Sequence, residues 1–184
     1  MKVFPIPPDI SKKAKLDEFQ KELCQLAIKN GAENASIINV SNISYKQNKL
    51  DCPQHEKSFY YPQIMYKKDP IQQILKKFQW ALVFSLNQQK DLKRVYEVTA
   101  MIESYCFYHN FHLAVGLAAG NCRPVFCSSR RECQSMTIGK GCAFPMMARP
   151  SIEACHIDLE KLADQANFSN YHPNNHYLGM IFVD

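Results

Sequence analysis

The chain has 184 residues, enough to bury a core without disulfide or metal staples, and its 46% hydrophobic and 21% charged residues exclude a chain disordered throughout. The net charge of +5 comes from 22 basic and 17 acidic residues scattered along the chain rather than gathered into a stripe, so a solvated basic surface is expected and no nucleic-acid partner. Pro5, Pro7 and Pro8 interrupt the start before an apolar stretch of signal-peptide length, and the longest apolar run, Trp80 to Phe84, is too short for a membrane span, so a cytoplasmic protein with no membrane partner is expected.

The first ten residues read as extended. Leu16, Phe19, Leu23 and Leu26 then recur at helical spacing, and Asn30-Gly31 ends that helix because both residues tolerate the left-handed cap conformation. Ala35 to Val40 reads as a strand. Residues 44–67 lack periodicity and read as a long loop carrying Cys52 and Pro62. Pro70 suits the first turn of a helix running to about Phe78, and Trp80 to Leu86 is a buried strand by composition. Leu92, Val95, Thr99, Ile102 and Cys106 form one helical face, and Phe111 to Leu117 reads as a strand. Asp158 can cap a helix with inner face Leu159, Leu162 and Ala166, and Tyr177 to Val183 is a last strand. This alternation predicts an α/β (or α+β) fold, with residues 1–184 as a single domain and a mixed central sheet covered by helices.

Eight cysteines in a reducing compartment point to metal or redox chemistry rather than disulfides. Cys24, Cys52 and Cys106 are isolated. Cys122, Cys127, Cys133 and Cys142 fall in one glycine- and proline-punctuated stretch with the spacing C-x4-C-x5-C-x8-C, and Cys155 lies a little beyond. A wrapped loop over 119–155 lets one segment present several sulfurs to one centre, with backbone N–H groups available to the sulfurs. Soft thiolates suit an iron–sulfur cluster or zinc. The spacing is neither a zinc ribbon nor a bacterial ferredoxin run, so it leaves the two metals open.

Beyond the last of these cysteines the text reads Cys142-Ala143-Phe144-Pro145, then Ala148-Arg149-Pro150-Ser151-Ile152-Glu153-Ala154, with Ile157-Asp158 following. This resembles a family of predicted metal-binding proteins, a domain of unknown function found widely in anaerobic bacteria and archaea. That family shows a glycine-rich lead into the first cysteine, further cysteines, then a cysteine followed by a proline and Ala-Arg-Pro-Ser-Met-Glu-Ala. The resemblance runs from about Gly31 to about Phe168. It implies metal held by Cys122, Cys127, Cys133 and Cys142. With the family's anaerobic distribution it implies a [4Fe-4S] cluster serving electron transfer or the redox support of a partner enzyme. The alternatives are a structural or regulatory zinc site closed by the same thiolates, and a metalloenzyme whose metal keeps an open position. The family often carries a second cysteine region, but here Cys52 is followed by Tyr60-Tyr61-Pro62-Gln63 in place of a Cys-Pro-Pro element, so Cys52 is not expected to bind metal.

Other residues have plainer readings. Cys24 and Cys106 lie in apolar helical patterns and read as core. Cys155 and His156 are sequence neighbours, which do not face each other on a helix. Arg149, Ser151 and Glu153 read as a helix start more readily than as a pocket wall, although Arg149 suits the balancing of a negative cluster. His109 and His112 carry no metal spacing, and His172 and His176 lie in Asn-rich loop text. Tyr45, Tyr60, Tyr61 and Tyr66 suit covering a sheet more readily than walling a pocket. No phosphate loop, dinucleotide fingerprint or nucleophile elbow is present in the sequence.

Overall fold

The computed structural model describes residues 10–46, 71–89, 92–129 and 142–184. In chain order its elements are α1 (Ile10–Lys29), β1 (Asn34–Asn39), α2 (Ile71–Leu75), β2 (Trp80–Asn87), α3 (Leu92–Tyr108), β3 (Val115–Ala118), α4 (Cys122–Phe126), α5 (Leu159–Gln165) and β4 (His176–Val183), with single 3-10 turns at Val40–Asn42 and Glu153–Cys155. The strands form one sheet in the order β1-β2-β4-β3, each neighbouring pair antiparallel.

The central strands are apolar because both of their faces are covered. Side chains alternate across a strand, so Trp80, Leu82, Phe84 and Leu86 enter one core while Ala81 and Val83 enter the other. The first core lies under α1 and α3, through Phe19, Leu23 and Ala27 and through Val95, Tyr96, Val98, Ile102 and Cys106. The second lies under α5 and the Ile152–Ile157 segment, through Ile152, Cys155, Ile157, Leu162 and Ala166. The helix-covered sheet expected from the sequence is therefore present. Among the described residues the sheet is antiparallel rather than mixed as expected, and the parallel contact is an isolated bridge outside the strand pairings that joins Ala118, at the end of β3, to Ser151.

Helix ends follow local chemistry. After α1, Gly31 takes φ +98° and the Ala32 N–H reaches back to the Ala27 carbonyl at 3.1 Å, a left-handed cap closing the helix. Asn110 does the same for α3 at φ 72°, with the Phe111 N–H on the Cys106 carbonyl at 3.0 Å. This cap, and the turn closed by the Ala114 N–H on the Phe111 carbonyl, delay the strand expected from Phe111 until Val115. Phe111 instead packs its ring on Phe19 and Trp80. The helix expected to reach about Phe78 ends at Leu75, where Lys77 and Phe78 close turns onto the Ile74 and Leu75 carbonyls. Asp158 caps α5 as expected, its side chain accepting from the Lys161 N–H at 3.3 Å.

Candidate metal centre

The cysteine segment is an excursion whose two ends are tied together. It leaves the sheet after Ala118 and returns at Pro150-Ser151-Ile152. There the Ala118 N–H donates to the Pro150 carbonyl at 3.0 Å and the Ile152 N–H donates to the Ala118 carbonyl at 3.2 Å. The closure entropy of a long loop is thus met by sheet hydrogen bonds outside the loop.

At the outgoing end, Gly120 is held on both sides. Its N–H donates to the two Glu153 carboxylate oxygens at 3.0 and 3.1 Å, and its carbonyl accepts from the Tyr96 hydroxyl at 3.0 Å. Its φ of +82° favours glycine, and a Cβ there would stand 3.3 Å from a Leu92 methyl. Asn121 then caps the next turn, its side-chain oxygen accepting from the Arg123 N–H at 2.8 Å, and Cys122 begins α4. The first two cysteines therefore flank a short helix rather than lying in the fully irregular loop expected, because Asn121 supplies a cap that the glycines around it do not. Cys127 closes α4 with its N–H on the Arg123 carbonyl at 2.8 Å.

At the returning end, the Phe144 N–H points at the Cys142 Sγ at 3.4 Å. Met147 and Ala148 close a turn onto the Phe144 carbonyl. Arg149 is buried and pairs with Glu103 of α3 at 2.5 Å, while its guanidinium also donates to the Pro145 and Ala148 carbonyls at 3.3 and 3.1 Å. Glu103 in turn accepts the Gly116 N–H at 2.8 Å, which couples the returning chain to β3. The two ends also meet through aromatic rings: Phe126 lies edge-on to Tyr96 at 5.5 Å and packs on Phe144 at 5.8 Å. The residue before Cys127 and the segment after Cys142 are therefore neighbours.

Cys122, Cys127 and Cys142 are each partly exposed. Cys133 lies outside the described residues, as do Cys52, Tyr60, Tyr61 and Tyr66. Among the described residues no group of three or more His, Cys, Asp or Glu side chains stands ready to hold a metal ion. The donor set nevertheless fits a soft metal in kind. These three sulfurs are partly exposed, and the Phe144 N–H is directed at that of Cys142.

The other thiols contrast with them. Cys106 and Cys155 are buried in the two cores. Burial, with Glu103 nearby, pushes the Cys106 thiol up to about 12, and burial beside Glu153 pushes Cys155 well above the usual thiol range. Cys24 is only partly buried, short of the core position expected. His156 takes a left-handed turn at φ 59° while Cys155 faces the core, so the pair is not a joint ligand. His176 opens β4 and bonds Glu33 at 3.1 Å. His109 stacks on Tyr105, and His112 meets Phe107 edge-on. Tyr45 packs against the second core and bridges Ile157, the covering role expected of it.

Tyr96, Gly120, Arg149 and Glu153 are the residues that build the two ends, and periodicity alone marked none of them. Burial together with the nearby Cys122 and Glu153 pushes the Tyr96 phenol far above its usual range, so it remains a hydroxyl donor to Gly120. No helix among the described residues is long and apolar enough to cross a membrane. The chain belongs to the family described as Predicted metal-binding protein (DUF2284), whose model matches residues 33–183. No curated protein and no solved structure gives a significant match to it.

Proposed function

We propose that this member of the predicted metal-binding family holds a [4Fe-4S] cluster through Cys122, Cys127, Cys133 and Cys142, and serves electron transfer or the redox support of a partner enzyme. The family match over residues 33–183 supports metal binding. The observation that carries the finer reading is the Phe144 N–H directed at the Cys142 sulfur, in a loop whose ends are already closed by the Ala118–Ser151 bridge. Hydrogen bonds from backbone amides to ligand sulfurs are one of the means by which proteins tune iron–sulfur potentials. When bound, such a cluster supplies one-electron redox chemistry. The protein's part is to present four soft donors on an excursion from the sheet and to leave the site near the surface for a redox partner protein.

The test is anaerobic reconstitution of the full chain with iron and sulfide. The reading predicts a broad visible absorbance bleached by dithionite and a low-temperature paramagnetic signal in the reduced state. A colourless product that takes up zinc but no iron selects the structural or regulatory zinc site instead.

A further inference from the structure

We propose that Glu153 is a positioning residue for the first cysteine of the set, acting on Cys122 through the backbone of Gly120 and contributing its negative charge to the surroundings of that sulfur. The inference rests on the assignment of Cys122 as a metal ligand, and it extends that assignment to a residue that touches no metal.

The geometry is specific. The Ser151 hydroxyl donates to one Glu153 oxygen at 2.7 Å, orienting the carboxylate, and Ser151 also accepts the Ala154 N–H at 3.2 Å. Both carboxylate oxygens then converge on the single Gly120 N–H. A hydrogen bond to an ionised acceptor is roughly twice as strong as a neutral one. With Tyr96 on the Gly120 carbonyl and a Leu92 methyl 3.3 Å from where a Cβ would stand, the residue is held in position two residues before Cys122. The neighbours of Glu153 do the packing: Ile152, Ala154 and Cys155 are buried, while Glu153 is only partly so. An apolar residue would serve the core equally well, but it would release Gly120. The buried cation of the same segment, Arg149, is engaged with Glu103 and two carbonyls.

The experiment compares the full chain with Glu153→Gln and Glu153→Ala. Each is checked for fold by circular dichroism, then assayed with and without iron and sulfide. In the metal-free proteins, the rate of iodoacetamide modification is followed at each cysteine by mass spectrometry. Glu153→Ala is expected to change the rate at Cys122 several-fold and to leave Cys142 and Cys106 as in the parent. Glu153→Gln, which keeps an acceptor oxygen but loses the charge, is expected to raise the Cys122 rate by less than the change seen in Glu153→Ala, since removing a nearby negative charge favours the reactive thiolate. In the reconstituted proteins, Glu153→Ala should lose iron to a chelator several-fold faster. Glu153→Gln should hold its iron but show a higher midpoint potential, because a negative charge near the cluster has gone. Unchanged Cys122 reactivity in a folded Glu153→Ala protein would overturn the proposal, as would a uniform rise at all cysteines, which marks general loosening. If the parent takes up no iron, the cluster assignment fails, and the Cys122 modification rates still decide the role of Glu153.

Discussion

Arg149 and Glu103 meet at 2.5 Å with their side chains 4% and 14% exposed, and this pair fastens the returning end of the cysteine segment to α3 and β3. Removing one member of a buried pair leaves the other charge uncompensated, at a cost of about 3–5 kcal/mol. Arg149→Leu should therefore lower the stability of the chain by roughly that amount in urea denaturation. Adding Glu103→Leu should recover only part of it, because the Gly116 N–H then loses its acceptor. Equal stability of Arg149→Leu and the parent would show that the pair is not desolvated in solution.

Gly179 and Phe84 form a second close relationship, in the middle of the sheet. They are register partners on β4 and β2, and a Cβ on Gly179 would lie 2.1 Å from the Phe84 ring. Gly179→Ala should cost about 1–3 kcal/mol by overpacking. Combined with Phe84→Leu, which makes room, the loss should be smaller than the sum of the two single changes. Additive losses would mean that the ring has another place to go.

The elements legible in the sequence were those set by periodicity and punctuation. Trp80 to Leu86 and Tyr177 to Val183 are strands within a residue of their expected limits, and Asn30-Gly31 and Asp158 bound helices as expected. What the sequence hid depends on long-range pairing. The strand order leaves no local mark. Arg149 looked like part of a helix start because its partner Glu103 lies on another helix. Glu153 does stand in a 3-10 turn, but its side chain serves Gly120 across the loop rather than the turn itself. The cysteine spacing leaves the metal open because thiolates suit both iron–sulfur clusters and zinc.

Alkaline pH should separate the buried thiols from the clustered ones. The folded state holds Cys106 protonated up to about 12, against an ordinary value of 9.0. Between those values the unfolded chain binds fewer protons than the folded one at this site, so stability is unaffected below pH 9 and falls as pH rises toward 12. Thiolates, not thiols, react with iodoacetamide. Cys106 and Cys155 should therefore resist modification in the folded, metal-free chain at pH 8, where Cys142 reacts. Rapid modification of Cys106 under native conditions would contradict its burial.

Metal content should follow the clustered cysteines. Cys122→Ser and Cys142→Ser should lower bound metal sharply, since a hydroxyl is a poor ligand for a soft site. Cys24→Ser and Cys106→Ser should leave it near that of the parent, and Cys52→Ser should keep the metal-to-protein ratio. Full metal in both clustered variants, or loss of a whole equivalent with Cys52→Ser, would show the ligand set to be wrong.

The most direct measurement is the iron, acid-labile sulfide and zinc content of the full chain purified without oxygen, set beside the circular dichroism of the same protein after chelation. The account predicts iron and sulfide in equal amounts with little zinc. It also predicts a fold that survives metal loss, because among the described residues both cores are built from the sheet and its helices without Cys127 or Cys142. A colourless protein fully loaded with zinc even after anaerobic supply of iron and sulfide would contradict the cluster, and global unfolding on chelation would contradict the independence of the fold from the metal.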